Sequence, residues 1–379
     1  MKKLRVLLTG GGTGGHVYPI IAVSQKLRDW AEKNVIGADL RYFGAIDGYR
    51  PTLEAAKIKV VKITTSKLRR YFSFLNFLDF FRFWIGFFQS LVKIFFYMPE
   101  VAFSKGGPGA LPVVLACRFY FIPIVVHESD TSPGLTNKIS TRSAKVLDLA
   151  FDSAASNFPK RKGTINIVGN PVRTELLSVI PKEQAKKTLG FDANRPLVLI
   201  LGGSQGAEKI NDFVLNGLEL LLTKYQALHQ VGPEKYAEYK QQYAFISKNF
   251  SPLLTRNYRF SSYFEKELGL AMDAADVIIS RAGAGAIFEI AAKGKPSILI
   301  PFPEAARNHQ TQNAYEYAKT GAAIVIEQEN LLSSIVISQI DRMLNDPRII
   351  EKMSTAAKNF YRPDAAEKIA THILELWRQ

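Results

Sequence analysis

One pattern occurs twice in this chain and constrains its fold more than any other feature. Apolar strands are predicted at residues 4–9 and 197–201, and each leads into a glycine-rich segment that opens a helix: GGGTGG in the first case and GGSQGA in the second. A buried strand, a tight turn and a helix form the repeating unit of parallel α/β sheets. The repetition favours two similar doubly wound, Rossmann-like domains over one large sheet.

The segment GNPVR, residues 169–173, is the predicted hinge between these halves. We expect an N-terminal domain at residues 1–168, a second domain at 169–345, and helices at 346–379 that pack back on the first domain. A chain of 379 residues is long enough to give each domain its own core.

The stretch at residues 276–301, DVIISRAGAGAIFEIAAKGKPSILIP, predicts a strand, a helix and a second strand. A helix that starts inside AGAG presents its free N–H groups and positive dipole end to open space, which suits a phosphate. Glu289 lies a turn further on, where a carboxylate is better placed to accept hydrogen bonds from sugar hydroxyls. Phosphate and diol together indicate a nucleotide sugar, although an ordinary strand–helix unit would also show this pattern.

Composition limits the classes of binding partner but does not identify one. The formal net charge of +15 favours an anionic partner, which could be nucleic acid, an acidic membrane surface or a phosphorylated substrate. Because Cys117 is the one cysteine, an internal disulfide is excluded and a reducing compartment is expected. The apolar run after Met1 is too short for a signal peptide, so we interpret it as the first strand of a cytoplasmic protein.

The first glycine loop contains a G-x-G-x-x-G pattern at Gly10, Gly12 and Gly15. The next predicted strand, residues 40–43, is not followed by the acidic residue that would hold an adenosine ribose, so a nicotinamide cofactor is not expected. The loop is predicted to run through Pro19 into a helix from about residue 20 to residue 32. His16, in the loop near the helix, is either a cap or core residue or a catalytic group.

Two further polar segments follow predicted strands of the first half. KGGPG, residues 105–109, is a second glycine loop, and HESD, residues 127–130, places two acids and a histidine at the end of a strand. Ligands bind outside the carboxyl ends of parallel strands, so both are candidate site segments. The alternative for the second is an ordinary solvated loop.

Residues 68–98 are crowded with aromatic side chains. Their longest uncharged run, residues 83–92, is about half of the ~20 residues that a spanning helix needs. We expect one or two amphipathic helices in a membrane interface, with a core or dimer-packing helix pair as the alternative. The residues expected at the membrane are Arg69, Arg70, Phe80, Phe81, Arg82, Trp84, Phe87, Phe88 and Lys93.

Seven motifs in a fixed order resemble those of the MurG family: GGTGGHVYP, FSKGGPGALPVV, HESDTSPGLTNK, GNPVR, GGSQGA, ADVIISRAGAGAIFE and HQTQNA. The resemblance covers nearly the whole chain. It implies the GT-B architecture, two Rossmann-like domains facing across a cleft, and UDP-N-acetylglucosamine as the donor. It also implies undecaprenyl-pyrophosphoryl-N-acetylmuramyl pentapeptide (lipid I) as the acceptor, and other cell-wall synthesis proteins as further partners.

The resemblance assigns residues to each substrate. The implied donor residues are Thr13, Gly14, Gly15, Arg173, Ser204, Gln205, Phe264, Glu265, Ala284, Gly285, Ala286, Ile287, Phe288, Glu289, Gln310 and Asn313. The implied acceptor residues are Gly12, Lys105, Gly106, Gly107, His127, Glu128, Asp130 and Asn137. The chain departs from the commoner form of the family at Asp130, where Asn is usual, and at GGPGALP, where a GGYVSGP-type loop is usual.

The chemistry expected is attack of an acceptor hydroxyl on C1 of the donor sugar, with loss of UDP. His16, whose ordinary pKa lies near neutrality, is the first candidate for the base. Asp130 and Glu128 are the alternatives. Because no D-x-D-like acidic pair is present to hold a metal, neither a metal nor another cofactor is expected.

The sequence is also compatible with four other functions. They are a glycosyltransferase acting on diacylglycerol, a nucleotide-sugar epimerase, a membrane-attached protein that binds UDP-sugar without chemistry, and a nucleic-acid binder. The aromatic segment disfavours the last, because its side chains suit lipid contact better than base stacking.

Overall fold

A computed structural model describes residues 3–45, 48–66, 74–158, 163–305 and 308–379, without the side chains of residues 74–76. The chain forms two compact units. Unit 1 comprises Met1–Arg173 and Arg362–Gln379, and unit 2 comprises Thr174–Tyr361.

Unit 1 is built on a seven-stranded parallel sheet in the order β3-β2-β1-β4-β5-β6-β7. The strands are β1 Lys3–Gly10, β2 Gly37–Gly44, β3 Lys59–Lys62, β4 Val101–Ser104, β5 Ile124–Glu128, β6 Val146–Leu149 and β7 Thr164–Ile167. The helices are α1 Gly14–Lys33, α2 Arg50–Ala55, α3 Phe74–Tyr97, α4 Leu111–Phe119 and α5 Leu135–Ser140.

Unit 2 has a six-stranded parallel sheet in the order β10-β9-β8-β11-β12-β13. Its strands are β8 Leu197–Leu201, β9 Gln226–Gln230, β10 Tyr258–Ser261, β11 Val277–Ser280, β12 Ser297–Leu299 and β13 Ala323–Val325. Its helices are α6 Lys182–Thr188, α7 Glu208–Lys224, α8 Tyr236–Ile246, α9 Pro252–Arg256, α10 Leu268–Ala274, α11 Ala284–Ala292, α12 His309–Ala318, α13 Ser333–Asn345 and α14 Pro347–Phe360.

The last helix, α15 Ala365–Arg378, returns to unit 1. Ile369 and Ile373 are fully buried in its core, and Trp377 packs edge to face on Trp30 of α1 at 5.6 Å between ring centres. The unit boundary thus lies after Arg173, five residues beyond the predicted position. Only the chain from Arg362 onward joins unit 1, because α14 packs against α11 and α13 inside unit 2.

Both sheets have the same switch point. In each sheet the first strand is internal, the next two strands are added on one side of it, and the fourth is added on the other side. The strand order therefore reverses between β1 and β4 and between β8 and β11, while all strands stay parallel. The crevice outside the carboxyl ends of two such strands is where open α/β sheets bind ligands. The loops after β1, β4, β8 and β11 are therefore the loops that matter for function.

One detail differs from the sequence prediction. Helix α1 begins at Gly14 and not near residue 20, because the helix continues through Pro19 at the cost of one backbone hydrogen bond. The described part of the aromatic segment forms one helix, α3, within the one or two helices predicted. None of the helices that the structure describes is long and apolar enough to cross a membrane.

Candidate active site

In unit 1 the loops after β1 and β4 meet at His16. Thr13 is the N-cap residue of α1, and its hydroxyl lies 2.9 Å from Nδ1 of His16. The other ring nitrogen, Nε2, lies beside Gly107, whose backbone has φ of 89°. A Cβ atom at position 107 would lie 2.8 Å from the Cα of Gly11 and 3.1 Å from Nε2, so no larger residue fits.

The electrostatics of His16 differ from the expectation. Burial and, next, the positive charge of Lys105 lower the pKa of His16 to about 4, while Asp130 raises it. The expected near-neutral pKa is therefore wrong. His16 is uncharged at pH 7, and when Nδ1–H donates to Thr13, the lone pair of Nε2 is the one that can accept a proton.

A buried lysine lies beneath these loops. The side chain of Lys105 is 1% exposed, and its ammonium donates to His127 Nδ1 at 2.8 Å, to Asn170 Oδ1 at 3.1 Å and to the hydroxyl of Ser129. His127 donates from Nε2 to the carbonyl of Gly169 at 2.8 Å, so both of its ring nitrogens are occupied. Neither Lys105 nor His127 offers the exposed surface that direct acceptor contact, expected from the sequence, would need.

Glu128 ends β5 and is also buried. Its carboxylate accepts from the side-chain amide of Asn137 at 2.8 Å and from the backbone N–H of Asp130 at 3.0 Å. Burial first, and then the charge of Asp130, raise the pKa of Glu128 to about 7. Asn137 in turn packs against Gly106, which leaves no room for a Cβ there. Asp130 and Gly12 are partly exposed at the surface of this cluster.

In unit 2 the loop after β11 leads into an uncapped helix. Gly283 is the N-cap residue of α11 and has no side chain to bond the N–H groups of the first turn, which contains no acidic residue. Among the residues that the structure describes, none would lie within 4 Å of a Cβ atom at Gly283. In that part of the chain, the positive end of this helix therefore faces open space, as an anion site requires.

The predicted donor residues on α11 divide into two groups. Ile287 and Phe288 are fully buried, and Phe288 packs on Phe360 with 4.9 Å between ring centres. Their side chains belong to the core, so only their backbone is available to a ligand. Glu289 is partly exposed in the second turn, downstream of Gly285 and Ala286, which are also partly exposed.

The glycine loop after β8 lies open as well. Ser204 and Gln205 are exposed, and a Cβ atom at Gly203 would meet nothing within 4 Å. The loop rests on the end of β9 through Gly206, where a Cβ atom would lie 2.5 Å from the carbonyl oxygen of Val231.

Gln230, at the end of β9, is a residue that the sequence analysis missed. It is 4% exposed, its amide donates to the carbonyl of Gly203 at 2.9 Å, and its carbonyl accepts from the backbone N–H of Phe264 at 2.9 Å. One side chain thus joins the glycine loop to the segment of Phe264 and Glu265, which the resemblance assigns to the donor. Phe264 is buried and Glu265 is exposed, and the N–H of Phe264 is already used.

Helix α12 also approaches the carboxyl ends of the strands of unit 2. Asn313 is fully buried and donates to the carbonyl of Ala282 at 3.4 Å, and Gln310 accepts from the backbone N–H of Phe302 at 3.1 Å. Arg281, also missed from the sequence, is 8% exposed and donates to Gln328 at 2.7 Å. These bonds fix the loops on both sides of the start of α11.

Arg173 lies in unit 1, where its guanidinium stacks over the ring of Tyr18 at 3.8 Å. Its expected role beside the nucleotide stays a prediction. Thr13 and Gly15 are exposed at the start of α1, and Gly14 is buried. Within the described part of the chain, no three His, Cys, Asp or Glu side chains come together as a metal site would require.

Helix α3 has two different faces. The inner face carries Gly86, which approaches the carbonyl of Thr64 so closely that a Cβ atom would lie 2.1 Å from it, followed by the buried residues Ser90, Ile94 and Tyr97. The outer face, which we call the aromatic face, consists of side chains between 42% and 59% exposed at spacings of three and four residues. They are Phe77, Phe81, Trp84, Phe88, Val92 and Phe95, with Phe80 beside them.

The other residues expected at a membrane surround this face. Arg82 is exposed, Phe87 is partly buried, and Lys93 donates to the carbonyl of Lys62 at 2.7 Å. The turn after α4 adds Phe119 and Phe121, which are 60% and 93% exposed. Arg69 and Arg70 lie outside the described residues.

Comparison with known proteins agrees with this geometry. The pattern of the glycosyltransferase family 28 N-terminal domain matches residues 6–147, and that of its C-terminal domain matches residues 197–369. The fold and these matches define a family 28 glycosyltransferase with two Rossmann-like domains.

Full-length relatives define the family more narrowly. Two of them are named UDP-N-acetylglucosamine–N-acetylmuramyl-(pentapeptide) pyrophosphoryl-undecaprenol N-acetylglucosamine transferase. The protein from Clostridium tetani is 35% identical over 94% of both chains, and that from Bacillus cereus is 36% identical over 99% of this chain and all of its own. The crystal structure of Acinetobacter baumannii MurG superposes with a TM-score of 0.72 at 25% identity, over 99% of this chain and all of that chain. The chain belongs to the MurG family.

Proposed function

We propose that this enzyme transfers N-acetylglucosamine from UDP-N-acetylglucosamine to undecaprenyl-pyrophosphoryl-N-acetylmuramyl pentapeptide and so makes lipid II for peptidoglycan. The observation that carries the donor half of this proposal is the open, uncapped start of α11, with Glu289 one turn beyond it. The helix N-terminus suits the diphosphate and the carboxylate suits the ribose diol. The names of the relatives support the acceptor.

The reaction needs a base and a group that stabilises the leaving diphosphate. Nε2 of His16, in unit 1, takes the proton of the acceptor hydroxyl as the hydroxyl oxygen forms a bond to C1 of the donor sugar. At the same carbon, the bond to the β-phosphate oxygen breaks, and UDP leaves with the electron pair. The first turn of α11 and the exposed loop around Ser204 stabilise the charge on that leaving group.

We also propose that transfer requires no metal ion. The leaving diphosphate needs positive potential, and the uncapped N–H groups of α11 supply it without reorganisation during the reaction. Retention of full activity in EDTA is the expected result.

Membrane attachment is the third part of the proposal. The aromatic face presents a contiguous apolar stripe beside the exposed Arg82, which is the composition of an interfacial helix, and a polyprenyl-linked acceptor cannot leave the bilayer. We place the enzyme on the cytoplasmic face of the membrane, as a peripheral protein.

The test of the reaction uses labelled UDP-N-acetylglucosamine with a short-chain lipid I analogue, beside diacylglycerol and a reaction without acceptor, each with and without EDTA. Label on the lipid I analogue alone, with EDTA present, is the expected result. Label on diacylglycerol would overturn the acceptor assignment, and release of UDP without any acceptor would overturn the transferase mechanism.

Membrane attachment is tested with vesicles that contain anionic lipid. Each large apolar side chain buried in the interface contributes about 1.5–3 kcal/mol, so Trp84→Ala with Phe88→Ala should lower binding at least about 100-fold. Phe245→Ala is the matched control, because Phe245 is 72% exposed but lies on α8 of unit 2. Equal loss in both variants, or none in either, would remove the aromatic face from this role.

A further inference from the structure

We propose that Lys105 is a positioning residue for the acceptor reaction: its buried ammonium ties together the loops that surround His16 and supplies the positive charge beneath them. The inference rests on the proposed function and deepens it. Lys105 follows β4, and its three hydrogen-bond acceptors come from β5, from the loop after β5 and from the segment after β7.

The geometry matches the chemistry of an ammonium group. A lysine has three N–H donors and no acceptor, and all three donors are used here by His127, Ser129 and Asn170. The bond to Nδ1 forces the proton of His127 onto Nε2, which donates to the carbonyl of Gly169. Lys105 therefore sets the tautomer of His127 and, through it, the start of the segment that follows β7.

A buried charge needs compensation, and the nearby acids provide it. Burial lowers the pKa of Lys105 to about 8, while Glu128 and Asp130 act against that shift. Asp130 is one of the positions where this chain departs from the commoner form of its family, which has an uncharged Asn there. In this chain the negative charge at position 130 lies opposite the positive charge at position 105.

The charge of Lys105 also reaches His16. Two charged groups act on that imidazole: Lys105 opposes its protonation and Asp130 favours it. Because the base must be uncharged to accept a proton, Lys105 keeps His16 in its working form. A purely structural tie would hold the loops in place without this electrostatic effect.

The test compares Lys105→Met with Lys186→Met. Lys186 is also buried, at 2% exposure, and is paired with Asp276, but it lies in unit 2, so its loss controls for removal of a buried lysine in general. Lys105→Met should lower kcat/KM for the lipid I analogue about 10–100-fold, the scale of a misplaced reacting group. In the profile of kcat/KM against pH, the acid limb, which is the loss of activity at low pH, should move to higher pH in this variant. Its affinity for UDP-N-acetylglucosamine should not change.

Lys186→Met should leave the acid limb where it is. An unchanged acid limb and an unchanged kcat/KM in Lys105→Met would overturn the proposal. An equal loss of donor affinity would overturn it as well, because general unfolding would then explain the effect.

A second variant covers the case in which Lys105→Met does not fold. Lys105→Met combined with Asp130→Asn removes one charge of each sign, so it should recover the thermal midpoint and bring the acid limb back toward the wild-type position. Failure to recover either one counts against the charge pairing.

The titration of His16, followed by NMR in wild type, Lys105→Met and Asp130→Asn, needs no activity; the His16 pKa should rise in the first variant and fall in the second. If wild type proved inactive on the lipid I analogue, the proposed function would fail, and this titration would still decide the role of Lys105. A His16 titration that does not depend on Lys105 and Asp130 would overturn it.

Discussion

The glycine loops of the two units follow equivalent strands, but they use different chemistry. In unit 1 the loops after β1 and β4 are filled by His16 and rest on the buried groups Lys105, His127 and Glu128. In unit 2 the loops after β8 and β11 are open: among the described residues, a Cβ atom at Gly203 or Gly283 would meet nothing within 4 Å. The same fold therefore surrounds a titratable group in one unit and leaves backbone N–H groups open in the other. Under the proposed mechanism, the first site moves a proton and the second holds an anion.

This difference follows from what each substrate requires. A diphosphate is already charged, so fixed N–H dipoles and open space are enough to hold it. An acceptor hydroxyl must lose a proton, which requires a titratable group whose charge is controlled by burial and by neighbouring charges. If the two tasks are separate, a substitution in one site should change proton removal or diphosphate binding and leave the other intact.

The largest effect is expected at His16. His16→Ala should lower kcat about 10²–10⁴-fold, the usual contribution of a general base, and leave the affinity for UDP-N-acetylglucosamine unchanged. Steady-state kinetics and calorimetry measure the two quantities, with His372→Gln on α15 as the histidine control. A loss below tenfold would remove His16 from the mechanism, and a parallel loss of donor affinity would break the division between the units.

The next effect is expected at Glu289. Glu289→Ala should weaken binding of UDP-N-acetylglucosamine about 10–150-fold, which corresponds to about 1.5–3 kcal/mol for hydrogen bonds to a charged group. Calorimetry with UDP and with UDP-N-acetylglucosamine measures it, and Glu219→Ala, at an exposed position on α7, is the comparison. Unchanged affinity for both ligands would rule out the ribose assignment.

Gln230 is expected to have a smaller effect on the same affinity. Gln230→Leu removes the bonds to Gly203 and Phe264. The bond to Gly203 holds the glycine loop, and at about 0.5–1.5 kcal/mol for that one bond the donor affinity should fall about 2–12-fold. Gln226→Leu is a matched control, because Gln226 is equally buried at the other end of β9 and bonds Asp192 and Arg195. Equal effects from the two variants would mean that Gln230 supports the fold and not the donor site.

Part of the fold could be predicted because several strands are continuous apolar runs. The strand predicted at residues 197–201 has these bounds in the structure, and those predicted at residues 4–9 and 40–43 extend to Lys3–Gly10 and Gly37–Gly44. The sequence analysis missed β3, a strand of four residues with lysine at each end, because a short edge strand shows neither a long apolar run nor a clear alternation. It also placed the start of α1 too late, since it took Pro19 as the helix boundary.

The candidate site could be predicted only where the residues are neighbours in sequence. The AGAG turn and the glycine loops can be recognised from short contiguous stretches of sequence. Lys105 and Asn170 are 65 residues apart and meet only because β4, β5 and β7 belong to one sheet. Gln230 and Arg281 are single polar residues at strand ends, with no pattern that separates them from solvent-facing ones. The low pKa of His16 depends on burial and on Lys105, which no local motif contains.

The smallest effect is expected at the C-terminal helix, where unit 1 carries a further titratable contact. His372 of α15 lies 2.9 Å from the buried carboxylate of Asp148, and this hydrogen bond raises the pKa of His372 above its ordinary value, although burial opposes the shift. The raised pKa means that this pair stabilises the fold fully below about pH 6.5, the ordinary value, and that the contribution is lost as the pH rises through the folded-state pKa. Glu128, whose pKa is also raised by burial, likewise makes the free energy of unfolding fall as the pH rises.

The difference in urea midpoint between wild type and His372→Gln should therefore shrink as the pH rises from 5.5 to 8.5, because Glu128, His16 and the other groups with shifted pKa values titrate alike in both proteins. Identical pH dependence in both proteins would show that α15 is held by its apolar face, through Ile369, Ile373 and Trp377, and that the buried acid of β6 contributes nothing measurable. In that case the protonation chemistry of unit 1 would be confined to the loops around His16, and the contrast between the two units would become sharper.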